Sequence, residues 1–321
     1  MNAVQRSPRQ SVLVTGSSGF IGTAVCQRLV ADGYAVHGTV RPDGQAESLA
    51  EELGQVIVHP CELRDQEQVR RIMTAIEPGM VIHAAARSVL RQQCSLMDTV
   101  ADTVVSTANV VDAMGAVDSR RLVLLGSALV YGDVAGTVSE NALLRPVGVR
   151  GASKAAASLV ASAGCVGLGI KLVELRLTHV YGPGEPLRRL VPRAIRACLL
   201  GESLPMVDPP GLLDMLFIED AVDGLMQVIG KGDATGIFNL GSGTCISIEK
   251  IATVVAGVVG RPIHLERGAY QANNRTGVPG DLDIRRALRE LNWRPTTSLA
   301  EGIRATVPWV ETALHDGTRD G

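Results

Sequence analysis

The chain has 321 residues, 46% of them hydrophobic, and its 31 basic side chains nearly balance 33 acidic ones. That length supports a large domain plus a smaller one with a substantial core. The even charge leaves no nucleic-acid footprint and no apolar run reads as long enough to span a bilayer, so neither nucleic acid nor membrane is expected as a partner.

Met1 to Gln10 is polar and basic, lacks an apolar signal core and is expected to be a frayed tail. An apolar run, Ser11-Val-Leu-Val-Thr15, follows and flows into Gly16-Ser-Ser-Gly19-Phe-Ile-Gly22 and then into a helical pattern. Glycines three apart let the backbone turn tightly and approach a ligand closely, and the next helix aims its amides and positive end at a negative charge. With a second strand at 34–40, this strand, turn and helix predict a dinucleotide site that uses Gly16, Ser18, Gly19, Phe20, Ile21 and Gly22.

Strands are predicted at 11–15, 34–40, 55–59, 79–84, 120–126 and 171–177, and helices at about 20–32, 45–53, 65–76, 96–115 and 151–166. Short Val/Ile/Leu-rich strands between helices mean parallel pairing with both faces covered, a doubly wound α/β sheet that binds ligands at the carboxyl ends of its strands. After Val180 the alternation weakens into Gly/Pro-rich loops and shorter elements. The expected organisation is a nucleotide-binding domain over 1–177 and a smaller C-terminal α/β substrate-binding domain mainly over 178–321, with segments near 214–240 returning to the first. Six cysteines (26, 61, 94, 165, 198, 245) without a CxxC pair point to reduced thiols, a cytoplasmic location and no metal site.

Six strings fall in a fixed order: Thr15-Gly-Ser-Ser-Gly-Phe-Ile-Gly22, Val81-Ile-His-Ala-Ala85, Gly126-Ser-Ala-Leu-Val-Tyr-Gly132, Ser153-Lys154, Arg176-Leu-Thr-His-Val-Tyr-Gly-Pro183 and Asn239-Leu-Gly-Ser-Gly243. Together they resemble the extended short-chain dehydrogenase/reductases, the NAD(P)-dependent epimerase/dehydratase family acting largely on nucleotide sugars. The resemblance implies a Rossmann cofactor domain, a C-terminal substrate domain, and a homodimer formed through two helices per subunit. One of these would be 151–166, whose Ala/Ser-rich face serves close approach or ordinary packing.

The second strand reads Val36-His-Gly-Thr-Val-Arg41-Pro-Asp43, similar to members that use NADP, with Arg41 on the 2′-phosphate. The alternative is NAD, with Asp43 on the ribose. Glu62 and Leu63 lie where relatives have Asp and Leu or Ile against the adenine, and Ala84, Ala85 and Ala86 would line the cofactor's ribose.

The family's chemistry uses a Ser or Thr and a Tyr four residues before a Lys. Here Ser127 and Lys154 match, but Arg150 occupies the Tyr position. A guanidinium stays protonated and cannot be the general base. Thr103, His179 and Leu213 stand where relatives have an Asn of the proton relay, an Asn that holds the nucleotide sugar and an Arg that clamps the diphosphate. Arg188 and Arg189 could replace that clamp; the bland reading of Arg188, Arg189, Arg193 and Arg196 is a solvated basic face. Tyr131, Tyr181 and Tyr270 are the other phenols considered, His83 reads as structural, and Asp220 as a helix N-cap.

The residues together with the resemblance imply an NAD(P)-dependent enzyme, an oxidoreductase or epimerase, and the resemblance implies nucleotide sugars as its substrates. Keto-sugar reduction is favoured because it needs a donor (Arg150, assisted by Ser127) and no strong base, with the proton from Lys154 or water. The alternatives are a catalytically silent NADP(H)-binding sensor or partner protein, and a reductase of a non-nucleotide carbonyl compound.

Overall fold

The computed structural model describes residues 10–42, 54–86, 95–207, 211–270 and 279–316. The predicted helix at 45–53 lies outside them, as does Asp43.

Seven strands form the main sheet in the order β7-β6-β5-β4-β1-β2-β3: β1 (Ser11–Thr15), β2 (Ala35–Val40), β3 (Ile57–Pro60), β4 (Met80–His83), β5 (Arg121–Ser127), β6 (Lys171–Leu177) and β7 (Gly236–Leu240). Pairing is parallel from β3 through β2, β1 and β4 to β5. β4 is buried at every residue and β1 at all but its first, so their apolar runs do not alternate as half-exposed strands do. The order runs outward in opposite directions from β1 and β4, which places a switch point at their carboxyl ends.

The helices are α1 (Phe20–Ala31), α2 (Gln66–Ile76), α3 (Leu96–Val100), α4 (Ser106–Gly115), α5 (Val149–Leu168), α6 (Leu190–Leu200), α7 (Ile218–Gly230), α8 (Ile248–Val259) and α9 (Leu299–His315), with a π-helical turn, Ala101–Val105, joining α3 to α4. Local chemistry explains several starts. Asp65 caps α2 by accepting from the Glu67 and Gln68 amides, and Ser95 with Asp98 and Ser298 with Glu301 form capping boxes. Asp220 is not the N-cap expected. Phe217 is, and the buried Asp220 carboxylate instead accepts from Thr296 and Thr297.

Two compact units result. The first holds the chain up to Leu125 together with Ser153–Glu174. Its core joins Leu13, Met73, Val81, Met114 and Leu122 to Ala161 and Cys165 of α5. A Cβ at Gly164 would meet Val111 at 2.8 Å, so small residues on α5 serve close packing inside this unit. By length and composition α5, 20 residues long, could cross a membrane, contrary to the expectation that no segment would. Its Ala157, Ala161 and Cys165 are core residues, and Ser158 bonds the buried Glu174 at 2.5 Å, which accounts for its apolar character.

The second unit holds Gly126–Ala152 and the chain from Leu175 on. Three of the sequence strings meet in it. Fully buried Tyr131 donates its hydroxyl to Asn239 Oδ1 at 2.7 Å and accepts from Arg176 at 3.0 Å, and Arg176 also lies over its ring. Asn239 completes its bonds on the carbonyls of Val138 and Asp283. Tyr131→Phe removes the hydroxyl that both neighbours use, and urea unfolding is expected to show a loss of about 1–3 kcal/mol with an unchanged m-value.

Candidate active site

In the first unit the chain leaves β1 through Gly16, whose φ of +69° suits glycine. A Cβ there would lie 2.7 Å from the Ala85 Cα, and one at Gly22 would lie 2.1 Å from the Gly16 carbonyl oxygen. The Gly19 amide closes the turn on that same carbonyl at 3.0 Å. Gly19 then caps α1 with no side-chain acceptor for the first-turn amides. Ser18 and Gly19 are exposed, while Phe20 and Ile21 are half-buried. The cradle is one that side chains would fill, and it suits a diphosphate.

A directed chain of hydrogen bonds holds the loop facing it. Thr107 donates to the Thr103 carbonyl at 2.6 Å, so its oxygen accepts from His83 Nε2 at 3.0 Å. His83 Nδ1 then accepts from the Thr15 hydroxyl at 2.7 Å, and Thr15 accepts from the Ala85 amide at 3.4 Å. Ala84 is tied to the Thr15 carbonyl and, with Ala85 and Ala86, forms a small-residue segment beside Gly16. Burial, with a lesser contribution from Lys154, pushes the His83 pKa down to about 3. The sequence suggested a structural His83; the relay through Thr107 to the π-helical turn needed the fold.

Just after β2, the half-exposed Arg41 pairs with buried Asp102 at 3.4 Å, and Arg64 holds the same carboxylate. Glu62 accepts from the Arg64 amide at 3.1 Å, and Asn109 holds the Leu63 carbonyl at 2.9 Å. The Asn109 contact was not read from sequence. His59 lies 2.9 Å from His37, their rings stacked.

Ser127, Arg150, His179, Arg188 and Arg189 belong to the second unit, and Lys154, one helical turn beyond Arg150 on α5, to the first. Ser127 accepts from the Leu129 amide at 3.3 Å, which leaves its own proton to donate. A Cβ on Gly151 would meet the Leu129 carbonyl at 2.7 Å, so the glycine after Arg150 lets α5 approach the Ser127–Leu129 turn. Lys154 Nζ donates to the Leu125 carbonyl at 2.7 Å.

Arg150 is partly buried and has no hydrogen-bond or ion-pair partner among the described residues. Desolvation and the nearby Arg189 push its pKa down to about 10, so it remains a cation at neutral pH and a donor only. Arg188 and Arg189 precede α6, and Arg189 is its N-cap, not part of a helical basic face. Arg189 binds Glu185 at 2.6 Å and approaches His179 Nε2 at 3.3 Å. Burial next to Arg189 and Arg150 holds His179 neutral, its pKa pushed down to about 3. Burial pushes Glu185 up to about 7 against the pull of Arg189. Glu185 was not singled out from the sequence, where an acid in a Gly/Pro loop carries no signal.

Neither Tyr131 nor Tyr181 offers a base. Tyr131 is consumed by Arg176 and Asn239; Tyr181 is buried on the Leu299 carbonyl, with its pKa raised by that burial; the Tyr270 side chain lies outside the described residues.

A glycine cradle at the switch point of a parallel sheet defines a dinucleotide-fold protein. Residues 12–241 match the model of the NAD dependent epimerase/dehydratase family. A UDP-glucose 4-epimerase of Mycolicibacterium smegmatis is 30% identical over 314 residues, covering 92% of this chain and 96% of that protein. A dTDP-glucose 4,6-dehydratase of Neisseria meningitidis is 27% identical over 329 residues, covering 94% and 93%. Among solved structures, MoeE5 in complex with UDP-glucuronic acid and NAD has a TM-score of 0.82 at 26% identity, covering 94% of this chain and 99% of that one. The Thermus thermophilus UDP-glucose 4-epimerase complex with NAD has a TM-score of 0.85 at 25% identity, covering 95% and 100%. This chain belongs to the NAD dependent epimerase/dehydratase family.

His83 makes the first unit sensitive to acid. Its folded pKa lies below the unfolded value, so the unfolded chain binds the proton that the native state refuses, and stability falls as pH drops from about 6.5 towards 3. Urea unfolding at a series of pH values should show a shallower acid slope for His83→Asn than for the wild type, by at most about 1.4 kcal/mol per pH unit. Parallel slopes would mean that His83 takes up its proton in the native state.

Proposed function

We propose that this protein is an NADP(H)-dependent enzyme acting on a nucleotide-activated hexose, with reduction of a keto group favoured over epimerisation of an alcohol. The observation that carries the preference is Arg150, a partly buried cation with no partner at the position four residues before Lys154. Epimerisation starts by taking a proton from a hydroxyl, which a guanidinium cannot do. Reduction puts negative charge on a carbonyl oxygen, which a fixed cationic donor stabilises.

In this reading the cradle of Gly16, Ser18, Gly19, Phe20, Ile21 and Gly22 holds the cofactor diphosphate, with Glu62, Leu63, Ala84, Ala85 and Ala86 along its adenosine and ribose. The reduced nicotinamide, when bound, supplies a hydride. Arg150 and the Ser127 hydroxyl donate to the substrate oxygen, and the proton that completes the alcohol comes from Lys154 or from water. Lys154 also contacts the cofactor ribose, and His179, Arg188 and Arg189 hold the rest of the substrate. The sugar nucleotides named for relatives support the substrate class.

Arg41 supports NADP over NAD. It sits at the carboxyl end of β2, and because Arg64 also pairs with Asp102, Arg41 can leave for a 2′-phosphate without stranding a buried carboxylate. NAD, the cofactor in the solved relatives named above, is the second reading. Fluorescence titration should give a lower Kd for NADPH than for NADH, and Arg41→Ala should weaken NADPH about tenfold or more while sparing NADH. Equal affinities would remove Arg41 from the site.

Turnover is tested by reduced-nicotinamide absorbance with a panel of keto-sugar and parent nucleotides. Arg150→Ala is expected to lower kcat by about two orders of magnitude, with little change in cofactor affinity. Unchanged turnover would exclude the guanidinium from the mechanism. The homodimer belongs to this reading too. The exposed apolar side chains Met97 (71%), Leu159 (62%) and Val166 (81%) on α3 and α5 support it, and light scattering of Leu159→Glu should report monomer if that face is the interface. A cytoplasmic location accords with the free, buried Cys26, Cys61, Cys165 and Cys198.

A further inference from the structure

The cluster around Arg189 is short of negative charge. Arg150 and Arg189 lie near enough for one to disfavour the other's protonation, His179 is neutral, and the acid facing them is Glu185. Two guanidiniums against one carboxylate leave one positive charge uncompensated when Glu185 is ionised, and two when it is protonated.

Glu185 is itself held incompletely. It is fully buried, its Oε1 accepts from Arg189, and its Oε2 has no hydrogen-bond partner. The backbone at Gly182 and Arg189 favour its ionised form, and the Tyr181 phenol lies near enough to feel its charge. A buried carboxylate with one bare oxygen is a costly way to neutralise a guanidinium. Arg189 also caps α6 with no side-chain acceptor, so the positive end of an eleven-residue helix adds to the same place.

We propose that Arg189, flanked by Arg150, receives an oxyanion of the substrate, and that Glu185 is its displaceable counter-ion, taking one proton from solvent as the anion arrives. Glu185 is thereby a positioning residue. It keeps Arg189 extended in the empty site and yields it to the ligand. The anion's identity rests on the nucleotide-sugar reading above, and is either the diphosphate or a carboxylate on the hexose. Because binding takes up a proton, affinity falls as pH rises through the neutral range.

Calorimetric titration with inorganic phosphate, UDP-glucose, dTDP-glucose and UDP-glucuronate, each in two buffers of different ionisation enthalpy, tests this. The wild type should take up protons on binding. Glu185→Gln should bind without that uptake and lose the pH dependence of Kd. Arg189→Met should weaken binding by about tenfold or more. Tighter binding of UDP-glucuronate than of UDP-glucose assigns the carboxylate; equal binding assigns the diphosphate. Carbon-13 shifts of the Glu185 carboxyl in the wild type, with and without phosphate, report its protonation should the variant fail to fold. Identical uptake in wild type and Glu185→Gln, an unshifted Glu185 carboxyl, or indifference to Arg189→Met overturns the proposal. Proton-coupled phosphate binding without any nucleotide-sugar binding keeps the oxyanion site and defeats the nucleotide-sugar reading instead. No binding of any probe overturns both.

Discussion

The contact on which the cofactor half of this protein depends is the approach of backbone to backbone at the end of β1. The Gly16 carbonyl oxygen occupies the space a Cβ on Gly22 would need, and the Ala85 backbone fills the space beside Gly16. A side chain at Gly22 would push α1, with its uncapped first-turn amides, away from the Gly16 turn, and one at Gly16 would push against the Ala85 segment. The position of α1, the route of the chain after β4 and the opening at the switch point all follow from that clearance.

Around this contact the polar groups are spent on position. The Thr107–His83–Thr15–Ala85 chain runs donor to acceptor in one direction and leaves His83 neutral. In the second unit, Tyr131, Arg176 and Asn239 satisfy one another in the same way. Several strings that carry the family likeness are therefore there to hold loops still, not to react. Other groups are incompletely paired, among them the Arg150 guanidinium, the Ser127 proton and one oxygen of Glu185.

Arg150, four residues before Lys154 on α5, stays a cation at neutral pH, its pKa pushed down to about 10 by burial and the nearby Arg189, and can only donate hydrogen bonds. Family membership fixes the fold, and the proposed preference for reduction rests on this one position. Burial, with Arg189 nearby, lowers the Arg150 pKa, and burial, with Arg189 and then Arg150 nearby, keeps His179 from protonating.

Much of this was legible in the sequence because it is local. The glycine spacing, the unbroken apolar β1 and β4, and the four-residue step from Arg150 to Lys154 are set by backbone geometry over a few residues, so the fold class, the cradle and the missing base could be read directly. Arg189, expected on a basic face, instead ends the loop before α6, and Asp220 lies in the first turn of α7 and not at its cap, because boundaries depend on which carboxylates the tertiary structure captures. Glu185, Asn109 and Thr107 gave no signal at all. Their partners are the Arg189 guanidinium, the Leu63 carbonyl and the His83 ring, and which pairs meet is settled only when β-strands and helices distant in sequence pack. The sequence by itself determined the sheet, the phosphate cradle and the absence of a tyrosinate base. Tertiary structure alone decided which charges are buried together, since desolvation and pairing act through space and leave no periodicity in the chain.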